Sequence, residues 1–172
     1  MLTLSLLRHA KSSWDDLSLD DHDRPLNKRG MQAAETMGAY LAERKDKPDG
    51  ILCSDSVRTR QTLKRILPHL GTPSPQVVID PELYLAPATL MLAQLRKTGA
   101  GFQHVMMIGH NPGMQALALD LAGSGSKRDI ATMAIKFPTC GLAVLTFETQ
   151  MWSEVRPTSG RLTAFVTPRS LS

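Results

Sequence analysis

Leu2-Thr3-Leu4-Ser5-Leu6-Leu7-Arg8-His9-Ala10 is a short apolar run that stops abruptly at two polar side chains able to carry positive charge. A run of that length is far too short for a membrane span and reads as a buried strand that delivers Arg8 and His9 to its carboxyl end. The pattern recurs twice. Ile51-Leu52-Cys53 is followed at once by Ser54 and then by Arg58, and Val105-Met106-Met107-Ile108 is followed by Gly109-His110-Asn111.

The segments between these runs have helical periodicity. Asn27 is a plausible cap for a helix running to about Glu43, with Met31, Ala34, Tyr40 and Leu41 facing inward, and Lys47-Pro48-Asp49-Gly50 ends it. Leu63, Ile66, Leu67 and Leu70 repeat at i, i+3, i+4 and i+7, which predicts a helix over Ser54 to Leu70. Val77 to Ile79 reads as a further strand and Ala88 to Lys97 as another helix. Pro112 fits a first helical turn, ahead of an amphipathic face made by Met114, Leu117, Ala118 and Leu121.

The connecting segments read as loops and short strands. Lys11 to Arg24 is a polar loop with only Trp14, Leu17 and Leu19 to tack it down. Gly123 to Arg128 reads as a flexible loop, and Ala134–Phe137, Gly141–Phe147 and Arg161–Val166 as strands, with a turn at Arg156–Gly160. Strands alternating with helices predict an α/β fold: a three-layer α/β/α sandwich on a mainly parallel central sheet, with antiparallel strands near the C-terminus. No repeat or linker divides the chain, so residues 1–172 are expected to form one domain.

Composition narrows the class. With 172 residues, 42% of them hydrophobic and 21% charged, the chain is large enough for a core without staples and too apolar to stay disordered. Twenty Lys and Arg against sixteen Asp and Glu give +4, which favours anionic ligands. Aromatic residues are only 5%, and the basic groups do not alternate with stacking platforms, so a nucleic-acid partner is not expected. Cys53 and Cys140, both in apolar runs that read as strands, suit buried thiols in a reducing compartment better than a disulfide or a zinc site. The first residues lack a basic leader, and a cytoplasmic protein without membrane attachment is expected.

If the three strands are parallel neighbours, two arginines and two histidines converge on one pocket at their carboxyl ends, where open α/β sheets bind ligands. That set suits phosphoryl transfer, whose transition state spreads negative charge over equatorial oxygens. Arginine clamps such oxygens with paired hydrogen bonds. Imidazole, with an ordinary pKa near ~6.5, can attack phosphorus from one ring and donate a hydrogen bond from another. No acidic cluster suggests a two-metal site, and neither a metal nor another cofactor is expected. His22, His69 and His104 are read as solvent-exposed or structurally satisfied.

Four segments together resemble the histidine phosphatase superfamily. They are Leu7-Arg8-His9-Ala10, Arg24-Pro25-Leu26-Asn27-Lys28-Arg29-Gly30, the stretch Ser54 to Thr62 around Arg58, and Gly109-His110-Asn111-Pro112-Gly113. The Arg-His-Ala and His-Asn-Pro-Gly forms and the short length look most like its phosphohistidine phosphatase, or SixA, branch, with a weaker likeness through Phe137-Pro138-Thr139. The resemblance implies a phosphoglycerate mutase-like fold and a phosphohistidine intermediate on His9. It also implies that Arg8, Arg58 and His110 bind the phosphoryl oxygens, with no metal requirement.

Two positions have alternative readings. Ser54 can cap the following helix or touch phosphate, and Asn111 can hold the pocket loop or bind ligand. The resemblance has one gap: where the acid phosphatase branch carries a proton-donating Asp after its second histidine, this chain has Asn111. Glu82 and Asp21, the latter in the Asp20-Asp21-His22-Asp23 loop, are the possible donors. A phosphorylated imidazole leaves more readily than an alkoxide, so a site without a placed acid favours phosphohistidine. The expected substrate is therefore a phosphorylated protein. A small phosphorylated metabolite or a non-catalytic phosphate-binding adaptor are the other readings.

Overall fold

A computed structural model describes all residues, 1–172. Seven strands form one sheet in the order β3-β2-β4-β1-β6-β7-β5. They are β1 (Leu2–Arg8), β2 (Gly50–Ser54), β3 (Gln76–Asp80), β4 (His104–Gly109), β5 (Ala122–Gly125), β6 (Leu142–Phe147) and β7 (Gly160–Val166). Only β6 runs against its neighbours, antiparallel to both β1 and β7. The remaining pairings, β1 with β4, β2 with β3 and β4, and β5 with β7, are parallel. The sheet is mainly parallel as the alternation implied.

Five helices, α1 (Lys28–Glu43), α2 (Val57–Ile66), α3 (Ala88–Thr98), α4 (Gly113–Leu121) and α5 (Lys127–Ile135), cover its two faces. Strand alternation divides the core. Leu7, Ile51, Cys53, Met106, Ile108, Leu142 and Val144 pack under α1 and α2 with Ala34, Met37, Leu63 and Ile66. Leu4, Leu6, Leu52, Val105, Met107, Ala143 and Leu145 pack against α3, α4 and α5 through Leu95, Met114, Leu117 and Met133. Burial on both faces explains why these strands read as continuous apolar runs.

Helix starts follow cap chemistry. Asn27 accepts from the Gly30 amide at α1, and Ser56 accepts from the Thr59 amide at α2. The start of α2 at Val57 leaves Ser54 inside β2, so Ser54 does not cap this helix. Gly30 is required where α1 presses on the chain just past His9, because a Cβ there would collide with the Lys11 carbonyl oxygen.

Four expectations are corrected. Ala134 and Ile135, read as the start of a strand, end α5: Ser126 accepts from the Asp129 amide and nucleates the helix, Met133 is its buried contact, and Ile135 is exposed. The supposed flexible loop from Gly123 supplies the end of edge strand β5, whose small residues pair with β7. Leu17 and Leu19 do not tack down the 11–24 loop, since both are exposed, and Trp14, also exposed, contributes only by stacking with Arg24. Polar contacts from Asp21 and His22 supply most of the hold on that loop, through Arg58 and Asp55. Cys140 lies just before β6, in a left-handed backbone conformation with φ 58°, and not within a strand. Both thiols are buried and unpaired in a disulfide, and burial pushes each pKa up to about 12.

Candidate active site

Pairing register brings the three strand ends level. Arg8 lies opposite Gly109, and Cys53 opposite Ile108, so Arg8, Ser54 and Gly109 share one edge of the sheet. After β1 the chain passes to α1 on one face, and after β4 to α4 on the other. The crevice at this divergence is the place where open α/β sheets hold ligands. A cavity of about 320 Å³ opens here, lined among others by Arg8, His9, Asp21, Arg58, His110 and Asn111.

His9 is buried, and its Nδ1 lies 2.7 Å from the Ala10 carbonyl oxygen. A carbonyl only accepts, so Nδ1 carries the proton and Nε2 keeps a free lone pair. The loop that fixes this ring is itself anchored: the His9 amide donates to the Gly109 carbonyl, and the Ala10 amide donates to Thr62 Oγ1 on α2. Burial, with the Arg58 and Arg8 charges adding to it against the Ala10 hydrogen bond, lowers the His9 pKa to about 4. The ring is neutral at pH 7.

His110 stands beside it, with ring centroids 5.2 Å apart. Its Nε2 is 2.8 Å from Ser54 Oγ, and its Nδ1 is 3.4 Å from Arg58 Nη2. Burial, then the neighbouring His9 and Arg58, bring its pKa down to about 3. Arg58 Nη2 only donates, so here Nδ1 accepts and Nε2–H donates to Ser54 Oγ; because the Ser54 hydroxyl can also donate, a proton on Nδ1 becomes possible when an anion takes over the Arg58 donor. Ser54 thus orients an imidazole, a contact in neither sequence reading.

The arginines are held by carbonyls and one carboxylate. Arg8 Nη1 donates to the Phe137 carbonyl at 2.9 Å, and its buried Nε has no partner. Arg58 donates from Nη1 to the Asp21 carbonyl and from Nη2 to Asp21 Oδ2 at 2.9 Å. Arg24 is buried too, with Nε 3.6 Å from Asp21 Oδ1 and the guanidinium lying over the Trp14 ring. Lys11, Arg8, Arg24 and Arg58 therefore face a single carboxylate in this cavity. The arrangement can take a small tetrahedral anion onto converging donors with a neutral imidazole lone pair beside it.

The two carboxylates singled out from sequence separate. Glu82 is exposed, lies outside the cavity lining, and accepts from Gln94 Nε2 at 2.9 Å. It sits in the Pro81–Leu83 turn directly after β3, with its carboxylate engaged by Gln94 outside the lining. Asp21 does line the cavity, but a hydrogen bond from Tyr84 and the pairing with Arg58 hold its pKa below the ordinary carboxylate range. Asn111 turns its Nδ2 to the Phe137 carbonyl and its Oδ1 to the Gln115 amide, ordering the loop at the start of α4. Lys11, Ser12, Trp14, Arg24, Leu85 and Thr139 also line the cavity without a sequence assignment. Arg24 and Thr139 lay in quoted motif segments, which was their only signal.

The other histidines take structural places. His104 is buried and hydrogen-bonded to Ser5 Oγ, while His22 meets Asp55 and His69 lies near Glu35.

A doubly covered sheet with two imidazoles and two guanidinium groups at its switch point defines a class. The chain belongs to the histidine phosphatase superfamily, whose branch 1 sequence profile matches residues 4–84. An uncharacterized protein of Mycobacterium tuberculosis strain H37Rv is 36% identical over 95% of this chain and 100% of its own length. The structure provisionally named phosphohistidine phosphatase SixA from Agrobacterium tumefaciens matches with a TM-score of 0.80 and 32% identity, covering 97% of this chain and 98% of that one. Its counterpart from Nakamurella gives 0.82 and 28%, over 97% and 96%. A SixA protein histidine phosphatase complexed with tungstate shares the fold, with a TM-score of 0.78 at 24% identity, over 99% and 100%. Within the superfamily, the chain falls in this SixA-like, phosphoglycerate mutase-like branch.

Proposed function

We propose that the protein is a phosphohistidine phosphatase acting on a phosphorylated protein through a covalent phosphohistidine at His9. The observation that carries the reading is the His9 ring itself: Nδ1 is committed to the Ala10 carbonyl, and the unprotonated Nε2 is left among Arg8, Arg58 and His110. The Nε2 lone pair forms the new N–P bond as the substrate's N–P bond breaks in line with it. The departing imidazole takes a proton from water on its second ring nitrogen and so leaves neutral. Water then attacks the phosphorus on His9, releasing inorganic phosphate and restoring the free ring. Arg8, Arg58 and His110 hold the equatorial oxygens in both steps.

The ionised Asp21 supports specificity for nitrogen–phosphorus bonds. An alkoxide leaving group needs a proton delivered at the bond being broken, and the one carboxylate in the cavity is held in its ionised form. The test compares phosphate release from phosphoramidate and a phosphohistidine peptide with that from simple monoesters. Expected are preference for the nitrogen-linked substrates, an acid-labile and base-stable radiolabel during turnover, and loss of both label and activity in His9→Ala. A preference for monoesters would favour a small-molecule phosphatase. Binding without release would favour an adaptor.

A further inference from the structure

A groove of about 800 Å³ adjoins the candidate active site and shares Lys11 and Thr139 with its rim. It runs between the first turns of α1, the segment before β6 and the turn after β7. Arg29, Lys136 and Arg169 project into it from those three segments, and Lys11 makes a fourth cation. No Asp or Glu side chain lines it, and none of the four cations is paired with a carboxylate anywhere in the structure.

Lys11 lines both spaces, but the other three cations differ from those of the catalytic cavity. Arg8 and Arg58 are held by fixed acceptors, as suits a compact anion in one geometry. Arg29, Lys136 and Arg169 are exposed, unbridged and supplied by separate segments, as suits negative charge spread over a surface. The groove contains no aromatic side chain on which a base could stack, which weighs against a single-stranded nucleic acid. Its continuity with the rim means that an occupant would be joined to whatever enters the catalytic cavity.

We propose that this groove docks an acidic stretch of the substrate protein, so that carboxylates beside the phosphorylated residue contribute to its selection. The inference rests on the proposed phosphatase activity for its meaning but is tested separately. Two phosphohistidine peptides, one flanked by glutamates and one by serine and glycine, are compared with phosphoramidate as substrates. For the native chain, kcat/KM for the acidic peptide should exceed that for the neutral one by about tenfold at low salt, with the gap closing as salt rises. In Arg29→Glu/Lys136→Glu/Arg169→Glu the gap should vanish, while phosphoramidate turnover stays within about twofold, which also reports correct folding.

Direct binding of the unphosphorylated glutamate peptide, followed by fluorescence anisotropy, reads the groove without any chemistry. If neither peptide is hydrolysed but the glutamate peptide binds the native chain and not the variant, the docking surface stands and the phosphatase reading falls. Equal kcat/KM for the two peptides with intact phosphoramidate turnover would overturn the proposal. Tighter binding of an oligonucleotide carrying the same charge as the glutamate peptide would do so as well.

Discussion

Asp21 is the residue whose sequence reading changes most once its partners are known. It was a candidate acid; its carboxylate instead accepts from Arg58 and Tyr84 and sits across from Arg24. An ionised group in that place ties the 11–24 loop to the site and repels an entering phosphoryl group. Asp21→Asn keeps the side chain's size and removes the charge, so inhibition by tungstate or phosphate should tighten by about threefold to tenfold. Unchanged anion inhibition together with selective loss of monoester hydrolysis would make Asp21 a proton donor after all. Position and protonation are both set by Tyr84, Arg58 and Arg24, which lie far from Asp21 in the chain or gain their effect from the fold. Sequence spacing could bring Asp21 and Glu82 forward as alternatives but could not choose between them.

At the scale of elements, the strand ends were legible because each apolar run is broken by a polar pair at the point where β1, β2 or β4 leaves the sheet. The register that levels Arg8 with Gly109 was not, since it depends on pairings between distant segments. The misread strand at Ala134–Phe137 has the same origin. A short apolar run has no period of its own, and the Ser126 cap eight residues upstream decides for helix.

The link between α2 and the loop after β1 is likewise invisible in sequence. Thr62 Oγ1 accepts from the Ala10 amide and donates to the Arg58 carbonyl within its own helix. Thr62→Val preserves shape and leaves the buried Ala10 N–H without a partner, at a cost of about 1–3 kcal/mol. Thermal unfolding should fall by several degrees and kcat should drop, because Ala10 also carries the carbonyl that fixes the His9 tautomer. Thr62→Ser should restore both. A variant with native melting and kcat would remove this bond from the site's support.

Across the whole molecule, the buried imidazoles couple stability to pH. His9 and His110 have folded-state pKa values of about 4 and about 3, against an ordinary ~6.5 in the unfolded chain. Between those values the unfolded chain binds protons that the folded chain excludes, so stability is lost as pH falls from 6.5 towards 4. His104 is shifted in the same direction by burial, whereas Asp55 raises His22 and opposes the trend. The denaturant midpoint should therefore decline over that interval, and His9→Gln/His110→Gln should flatten the decline. Imidazole NMR signals of His9 titrating near 6.5 in the folded protein would contradict the burial argument.

The placement of the Phe137–Gly141 segment has a consequence for biogenesis. The Phe137 carbonyl holds Arg8 and Asn111, the Cys140 amide reaches the carbonyls of Arg8 and His9, and the Arg8 amide returns to Gly141. A residue made among the first ten is thus clasped by residues made some 130 positions later. During vectorial synthesis Thr62 and Gly109 can anchor the 9–10 loop early, yet the contacts from Phe137, Cys140 and Gly141 to Arg8 and His9 form only once the ribosome has released the segment leading into β6. The clasp on Arg8 and His9 is thus completed late, although both residues are among the earliest to emerge.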